Sequence, residues 1–587
     1  MLTQLFPILA FCATAVCSIL WISQYSSIKS TPLFILLPLV LAVYIPFSIV
    51  VLVPIDLLSA SSNGESHPLF YLNENVRLIL WRVSYWLAFV LTWAVLPLLQ
   101  SYVESGHHDP RKKAREAVMY NLKYQGILIG VGVIGLIYTI ISTGLSITSI
   151  KQVAIALSYS YTLIFAIWFM GHGLVNVPRR LWLLAAPTER VRQHYRKAVS
   201  VHDRYAEAQQ KYIEVSNEVL ALRVHREHTQ YTNWIDELCD SIEDTSNVVQ
   251  LPPRGRPVTV ERSRISEEYL SNLQRSLQKA EFRLIRYTMD WKNLVDEAAR
   301  DEDIVNSHGD LKFRRSSTRL PPNVAHMYYS LIEPWIMRLG AVFWGLLSLT
   351  LVWSELLYGT KYSLVNIIIS STQGFGQQVV SSFILGYMCY TAVSSLFRVR
   401  VFNVYGLVRQ HSDASSMLFY AMYACRLTVP IAYNYLMLIP SRESVFQAFL
   451  GKYINLTPLG TFFSDGIPRF ILVPIGLTLF NVYDKIKGWF GFGLDFTDEE
   501  EDSDDASLYI EGRDLIFREI EMNGRTSGGV RMPNPRFEVP PASPDTQITK
   551  MSNNIKGFFG NFSERWNSGQ WTQENQALEE GLLDDRI

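Results

Sequence analysis

The chain has 587 residues, of which 49% are hydrophobic and only 18% are charged. Soluble domains carry about 25% charged residues, so this composition is typical of a protein that crosses the membrane several times. The formal net charge of −1 gives no reason to expect a nucleic-acid partner. The five cysteines and eleven histidines show neither a disulfide framework nor zinc-site spacing, so no metal or other cofactor is predicted.

Nine stretches are apolar over a length that suits a transmembrane helix, which needs about 20 residues. This pattern predicts an all-α polytopic membrane protein, with spans one to five in residues 1–177 and spans six to nine in residues 335–487. The approximate limits of the nine predicted spans are Leu5–Ile22, Leu33–Val53, Leu78–Leu99, Gly126–Ile147, Val153–Val175, Ile336–Leu357, Val379–Phe397, Met417–Ile439 and Phe470–Tyr483.

Basic residues follow every odd-numbered span. Because cytosolic loops are enriched in lysine and arginine, this pattern predicts an extracellular or lumenal N-terminus and a cytosolic C-terminus. The sequon at Asn455 then lies on the external side, close to the membrane. The basic residues are Lys29, Arg111, Lys112, Lys113, Arg115, Arg179, Arg180, Arg398, Arg400, Lys485 and Lys487.

Two glycine-rich motifs resemble functional sites but favour a packing interpretation. Gly130, Gly132 and Gly135 have the spacing of a dinucleotide-binding loop, which requires a preceding strand that is missing here. In the middle of span four they predict close contact with another helix. The segment Thr372–Gly376 resembles a potassium-channel filter but lacks its context, and it predicts a glycine-rich turn.

The longest polar segment, residues 178–334, is called the insert. Two runs within it have apolar residues at alternating steps of three and four, which predicts two helices with one apolar seam each. The favoured arrangement is a cytosolic antiparallel coiled-coil hairpin with Leu251–Pro257 in its connection; the alternative is two helices packed separately. The seams are Ala198, Val201, Tyr205, Ala208, Tyr212, Val215, Val219 and Leu222, and Leu270, Leu273, Leu277, Ala280, Leu284, Tyr287, Trp291, Leu294 and Ala298.

Polar residues within the spans or at their ends are candidate site residues, because burying an ionisable group in a bilayer costs about 2.5–3.5 kcal/mol at mid-depth. They form either ion pairs that fix helix packing or the lining of a polar path. Depth in the membrane predicts that Arg426 pairs with Glu355. The full set of candidates is Asp56, Arg82, His172, Glu355, Arg426 and Asn434.

The tail, residues 488–587, is predicted to be acidic and largely disordered. Glu511, Leu515 and Ile516 fit an acidic dileucine sorting motif. Residues 554–567 have the spacing of an amphipathic helix, which would lie either on the inner leaflet or on the protein itself.

Several motifs, in this order, resemble the limb-region (LMBR-type) membrane proteins, the family of the lipocalin-interacting membrane receptor. The branch with the closest resemblance is LMBR domain-containing 2. The resemblance covers about Leu5 to Lys487 and implies nine spans and no catalytic residues. The motifs are Val53-Pro-Ile-Asp56-Leu57, Trp81-Arg-Val-Ser-Tyr-Trp86, Leu91–Tyr102, Gly171-His-Gly-Leu-Val-Asn-Val-Pro178-Arg-Arg-Leu-Trp182 and Cys425–Leu436.

No arrangement of catalytic residues is recognisable, so the sequence predicts a non-enzymatic receptor or scaffold in membrane signalling or trafficking. Its expected partners are the bilayer, cytosolic proteins bound through residues 190–300 and the tail, and a membrane receptor. The family is linked to G-protein-coupled receptor signalling, and the plasma membrane or an endolysosomal membrane is the expected location. The alternative is a transporter, channel or lipid-moving protein with a polar path lined by spans six and eight.

Overall fold

A computed structural model of the chain describes residues 2–26, 31–61, 71–143, 147–228, 230–248, 260, 265–307, 311–313, 321–398, 405–439, 444–454, 466–480 and 506–526. All regular elements among these residues are helices, which confirms the predicted all-α class. One compact unit comprises Met1–Asn523, and all contacts described below lie within it. The predicted features at Asn455, 251–257, 497–505 and 554–567 lie outside the described residues.

The part of the chain before the insert forms six helices. Pro97 lies at the start of α4, and a short π-helical segment, Leu91–Val95, joins α3 to α4. The helices are α1 Leu2–Tyr25, α2 Leu33–Ser61, α3 Glu74–Val90, α4 Leu96–Glu104, α5 Pro110–Thr143 and α6 Ile147–Leu184.

The insert contains α7 Pro187–Leu222, α8 Thr232–Val248, α9 Glu267–Val305 and α10 Pro322–Met327. After it come α11 Glu333–Leu356, α12 Leu364–Ser371, α13 Gly374–Arg398, α14 Ala414–Met437, α15 Val445–Ile454, a 3₁₀ turn Ile467–Ile471 and α16 Leu472–Leu479. The last described helix, α17 Ala506–Thr526, is called the tail helix.

Seven helical segments among the described residues are long and apolar enough to cross a membrane, so the chain is an integral multi-pass membrane protein. They coincide with spans one to seven of the prediction. The eighth predicted span corresponds to α14, which is not among the seven, and the ninth to the shorter apolar segment Ile467–Leu479.

The helix α14 lies at the centre of the packed bundle. Every residue from Cys425 to Leu436 is buried, and the helix contacts α2, α4, α6 and α13. A helix enclosed by other helices meets little lipid, so it can carry polar residues that a lipid-facing span cannot. This enclosure explains why α14 is less apolar than its neighbours.

The helix α5 packs much less than the others. No atom lies within 4 Å of the position that a Cβ would take at Gly126, Gly130 or Gly132. The predicted close helix contact at these glycines is therefore wrong as far as the described residues show. The predicted glycine-rich turn is confirmed: Thr372 and Gln373 join α12 to α13, and Gly374 has a φ of 60°, which favours glycine.

In the insert, α7 and α9 pack along each other with opposite directions. Val191 and Tyr195 at the start of α7 share an apolar cluster with Val295 near the end of α9. Leu222 at the end of α7 shares another cluster with Leu270 at the start of α9. Every predicted seam residue of α9 is buried.

A third helix completes the distal end of the insert. Trp234, Leu238 and Ile242 of α8 are buried in the same cluster as Leu222 and Leu270. The sequence analysis predicted two helices and missed α8, whose apolar residues recur every four positions over only a short length.

The tail helix packs against the start of α7 and the end of α9. Ile516 is 1% exposed, and Tyr509, Leu515 and Ile520 are partly buried against the same cluster. Residues 506–526 therefore form a docked helix inside a tail that was predicted to be largely disordered. A single apolar stripe on 21 residues was too weak a signal beside the acidic run.

Candidate functional site

Arg426 lies in the buried middle of α14 and is 6% exposed. Its Nη2 donates a hydrogen bond to the carbonyl oxygen of Thr92 in the π-helical segment. Its guanidinium carbon lies 4.7 Å from the centroid of the Trp93 ring and 5.5 Å from that of Tyr423, so both rings make cation–π contacts with it.

Pro97 explains why a carbonyl is free at this position. In the π-helical segment the N–H of Leu96 bonds to the carbonyl of Leu91, one residue earlier than Thr92. The next residue is Pro97, which has no N–H to offer to Thr92 or Trp93. Side chains supply the missing donors: Arg426 bonds to Thr92, and Gln125 Nε2 donates to the Trp93 oxygen at 2.6 Å. Arg426 thus satisfies a backbone acceptor deep in the bundle.

Glu355 is completely buried near the end of α11 and accepts a hydrogen bond of 2.6 Å from Asn434 Nδ2 of α14. The predicted ion pair between Arg426 and Glu355 is wrong, since no contact joins these two described side chains. Both lie on faces that the helical packing separates. Glu355 Oε2 and Asn434 Oδ1 are buried without a hydrogen-bond partner among the residues that the structure describes.

Asp56 is the centre of a buried polar cluster that links α2, α3 and α15. Arg77 Nη1 forms a 2.7 Å ion pair with its Oδ1, and Trp81 Nε1 donates to its Oδ2 at 3.0 Å. The backbone N–H groups of Val445 and Phe446 donate to the same carboxylate at 3.3 and 3.1 Å. A carboxylate with this many donors can remain ionised in an apolar setting.

The sequence analysis chose Arg82 in this region and missed Arg77. Arg82 is exposed, whereas Arg77 is 4% exposed and faces Asp56. Arg77 and Trp81 are four residues apart and therefore share one helix face, a spacing that could have identified the pair.

His172 lies between α6 and α13 and is 2% exposed. Its ring contacts Asn176 Nδ2 at 2.8 Å and Ser395 Oγ at 3.3 Å. The glycines on either side allow this packing: a Cβ at Gly173 would lie 2.2 Å from the Thr391 carbonyl oxygen, and one at Gly171 would lie 2.6 Å from Pro474 Cγ. The Gly-His-Gly motif thus positions three helices at close range.

A further hydrogen-bond cluster, which the sequence did not reveal, lies at the end of α4. Glu104 Oε1 accepts from Tyr405 Oη at 2.8 Å, from Ser415 Oγ at 2.5 Å and from Gln100 Nε2 at 3.2 Å. It joins α4 to the start of α14 and to the segment before it.

The insert contacts the same end of the bundle through charged side chains. Arg275 of α9 bonds to Glu116 and donates to the Glu104 carbonyl at 3.3 Å, and Lys112 pairs with Glu267. Arg286 Nη1 donates to the Tyr405 carbonyl at 3.3 Å. The helix α9 therefore lies across the loops that follow α4 and α13.

These contacts describe a bundle held together by buried polar bonds between helices, with a helical insert fixed to one end of it. Among the residues that the structure describes, no group of His, Cys, Asp or Glu side chains has the arrangement of a metal site. The arrangement defines a class: polytopic helical membrane proteins with a large extramembrane insert between their spans.

The family is identified by comparison with known proteins. Residues 3–483 match the family model described as LMBR1-like membrane protein, so the chain belongs to this family, as its motifs predicted. LMBR1 domain-containing protein 2 homolog A of Dictyostelium discoideum is 26% identical, over 91% of this chain and 80% of its own length. No solved structure matches the chain.

Two vertebrate relatives carry a functional name. The G-protein coupled receptor-associated protein LMBRD2 of Xenopus laevis is 26% identical, over 81% of this chain and 72% of its own length. The human protein of the same name is 24% identical, over 86% of this chain and 82% of its own length.

The Arg426 bond gives a testable expectation. Arg426→Met should lower the stability of the folded protein by about 1–2 kcal/mol, because it leaves the buried Thr92 carbonyl without a donor. Arg426→Lys should lose less, since an ammonium group can still donate. Thermal unfolding of the protein in lipid nanodiscs measures both changes.

The control uses the proline that created the free carbonyl. Pro97→Ala restores a backbone N–H, so Arg426→Met should cost less in that background than in the natural chain. An equal loss in both backgrounds would show that the Thr92 bond is not what Arg426 contributes.

Proposed function

We propose that this chain is a nine-span, non-enzymatic scaffold that associates with a membrane receptor and presents its insert and tail to cytosolic signalling or trafficking proteins. Its N-terminus would be extracellular or lumenal, and its membrane would be the plasma membrane or an endolysosomal membrane. The observation that carries the proposal is the fixed attachment of the insert to one end of the bundle.

Contacts among the loops support this topology. The N–H groups of Gln410 and Ser412 donate to the carbonyls of Gln24 and Tyr25 at 3.0 and 3.1 Å, which brings the end of α1 to the segment after α13. That segment and the end of α4 both contact α9. The ends of predicted spans one, three and seven therefore share the side of the insert, where the sequence predicts the cytosol.

The course of α14 supports nine spans. Its start bonds to Glu104 on the side of the insert, through Ser415. Soon after its end, Val445 bonds to Asp56 at the outer end of α2. At ~1.5 Å per residue its 24 residues extend about 36 Å, enough to cross a bilayer. The chain must then return before the tail helix can dock on α7, and Ile467–Leu479 is the apolar segment available for that crossing.

The receptor-associated role draws on the relatives' names and on the insert. Two long packed helices are unnecessary for moving a solute but provide a rigid surface for proteins. Arg426 is buried and bonded to a backbone carbonyl, which favours a role in packing over a role in a polar path.

Deleting residues 198–298 tests this function. Luminescence complementation between the chain and a panel of co-expressed G-protein-coupled receptors should give a signal with at least one receptor, and the deletion should abolish it. A matched control replaces the exposed pair Lys211 and Glu214 by alanine, which should preserve the signal. Tags at Ile587 and near Asn247 verify that topology is unchanged; a receptor signal that survives the deletion would contradict the proposal.

The alternative function is transport along a polar path between α11 and α14, which form predicted spans six and eight. The fully buried contact between Glu355 and Asn434, with one unpartnered oxygen on each side chain among the described residues, favours it. Under this alternative, proteoliposomes containing the protein should show a proton or sodium flux that Glu355→Ala abolishes.

A further inference from the structure

The tail helix contains the acidic dileucine motif, and the docked helix places the two aliphatic residues of this motif differently from the acidic one. Glu511 is exposed, Leu515 is half-buried and Ile516 is 1% exposed. Ile516 contacts an apolar surface formed by α7 and α9, with Tyr195 and Trp291 among its members.

The docking is close and depends on one glycine. A Cβ at Gly512 would lie 1.8 Å from the Tyr195 carbonyl oxygen and 3.2 Å from Ala198 Cβ, so the two backbones touch where no other residue fits. One turn earlier the ring of Tyr509 meets the ring of Tyr195 edge-on, with 5.4 Å between centroids. Burial at this contact raises the pKa of the Tyr509 hydroxyl.

The helix depends on this surface for its own stability. A glycine inside a helix costs about 1 kcal/mol relative to alanine, and isolated helices of this length are marginal in water. Released from α7 and α9, residues 506–526 would therefore lose most of their helical structure. Docking and helix formation are then one equilibrium with two states.

We propose that Glu511, Leu515 and Ile516 form a sorting signal that is concealed by docking of the tail helix on α7 and α9. An adaptor that recognises this motif must accommodate both aliphatic side chains in its own pockets, so it competes with the α7–α9 surface for Ile516. The adaptor binds only the undocked fraction, and its apparent affinity is lowered by that fraction. Any event that displaces the tail helix, including a partner bound on the same face of the insert, turns the signal on. The inference rests on the proposed cytosolic position of the insert and the tail.

Gly512→Ala separates docking from the signal. It preserves all three motif residues and raises helix propensity, so any loss of docking comes from the clash with the Tyr195 carbonyl. Tyr509→Asp releases the helix by a second route, through a charge in an apolar contact. The matched control is Ile510→Ala, because Ile510 is the same residue type as Ile516 in the same helix but is 58% exposed.

Two measurements on the full chain in nanodiscs test the proposal. Amide hydrogen exchange should show that Gly512→Ala and Tyr509→Asp each remove protection from residues 506–526, whereas Ile510→Ala does not. Binding of a purified adaptor core that recognises acidic dileucine peptides should increase roughly tenfold or more in both release variants. Adding Leu515→Ala and Ile516→Ala to Gly512→Ala should return binding to background.

The outcomes are decisive in both directions. Unchanged protection in both release variants would overturn the docking equilibrium, and lost protection without increased adaptor binding would overturn the sorting signal. Nanodiscs expose both faces of the membrane, so this result is independent of sidedness. A tag at Ile587 that faces outside would instead defeat the proposed topology and function.

Discussion

Asp56→Ala is expected to destabilise the folded protein by about 3–5 kcal/mol, because it leaves the buried guanidinium of Arg77 without its counter-charge. The same change removes the acceptor of three further hydrogen bonds, from Trp81, Val445 and Phe446. Since those donors come from α3 and α15, the two connections at this end of the bundle should loosen together. The midpoint of thermal unfolding in nanodiscs and the fraction of protein that leaves the endoplasmic reticulum should both fall.

Two further variants separate the ion pair from a general effect of removing acids. Glu74→Ala removes an exposed acid at the start of α3 and should change stability by less than about 0.5 kcal/mol. The double variant Asp56→Leu with Arg77→Met should be more stable than Asp56→Ala, because no unpaired charge remains. If the double variant were as unstable as the sum of the two single ones, the pair would not be the source of the effect.

Gly173→Ala is expected to cost about 3 kcal/mol, because the new methyl group would lie 2.2 Å from the Thr391 carbonyl oxygen and 2.8 Å from Ser395 Oγ. The obstacle is the backbone of α13, so no side-chain rotation relieves it. The separation of α6 from α13 should also weaken the contact between His172 and Ser395. The unfolding midpoint measures this effect.

Gly340→Ala is the matched control for this substitution. Gly340 lies in α11 with no atom within 4 Å of the Cβ position, so alanine should stabilise the helix by about 0.5–1 kcal/mol. The two glycine substitutions are therefore expected to change stability in opposite directions. A similar loss at both positions would mean that close packing at Gly173 does not explain its sensitivity.

Local sequence patterns predicted the helices well. The apolar stretches of spans one to seven match helices that can cross a membrane, and the seam of α9 is buried as its spacing predicted. Both features depend on residues within a few turns of each other. Length, hydropathy and a helical period are therefore sufficient to identify them.

The partners of the polar site residues were less predictable. Arg426 was paired with Glu355 on the basis of depth alone, but each meets a different group. The true partner of Arg426 is a backbone carbonyl, which every residue has and no sequence pattern marks. Only the presence of Pro97 indicated that a carbonyl nearby lacks its usual donor.

The sequence by itself determined that this protein is an all-α membrane protein of the LMBR1 family, with a helical insert between two groups of spans. Only the tertiary structure decided that α14 is the enclosed central helix, that Arg77 neutralises Asp56, and that the tail helix covers Ile516. The physical reason is that burial of an apolar face is encoded in the spacing along one helix. The choice of which face meets which depends on the packing of helices far apart in the chain.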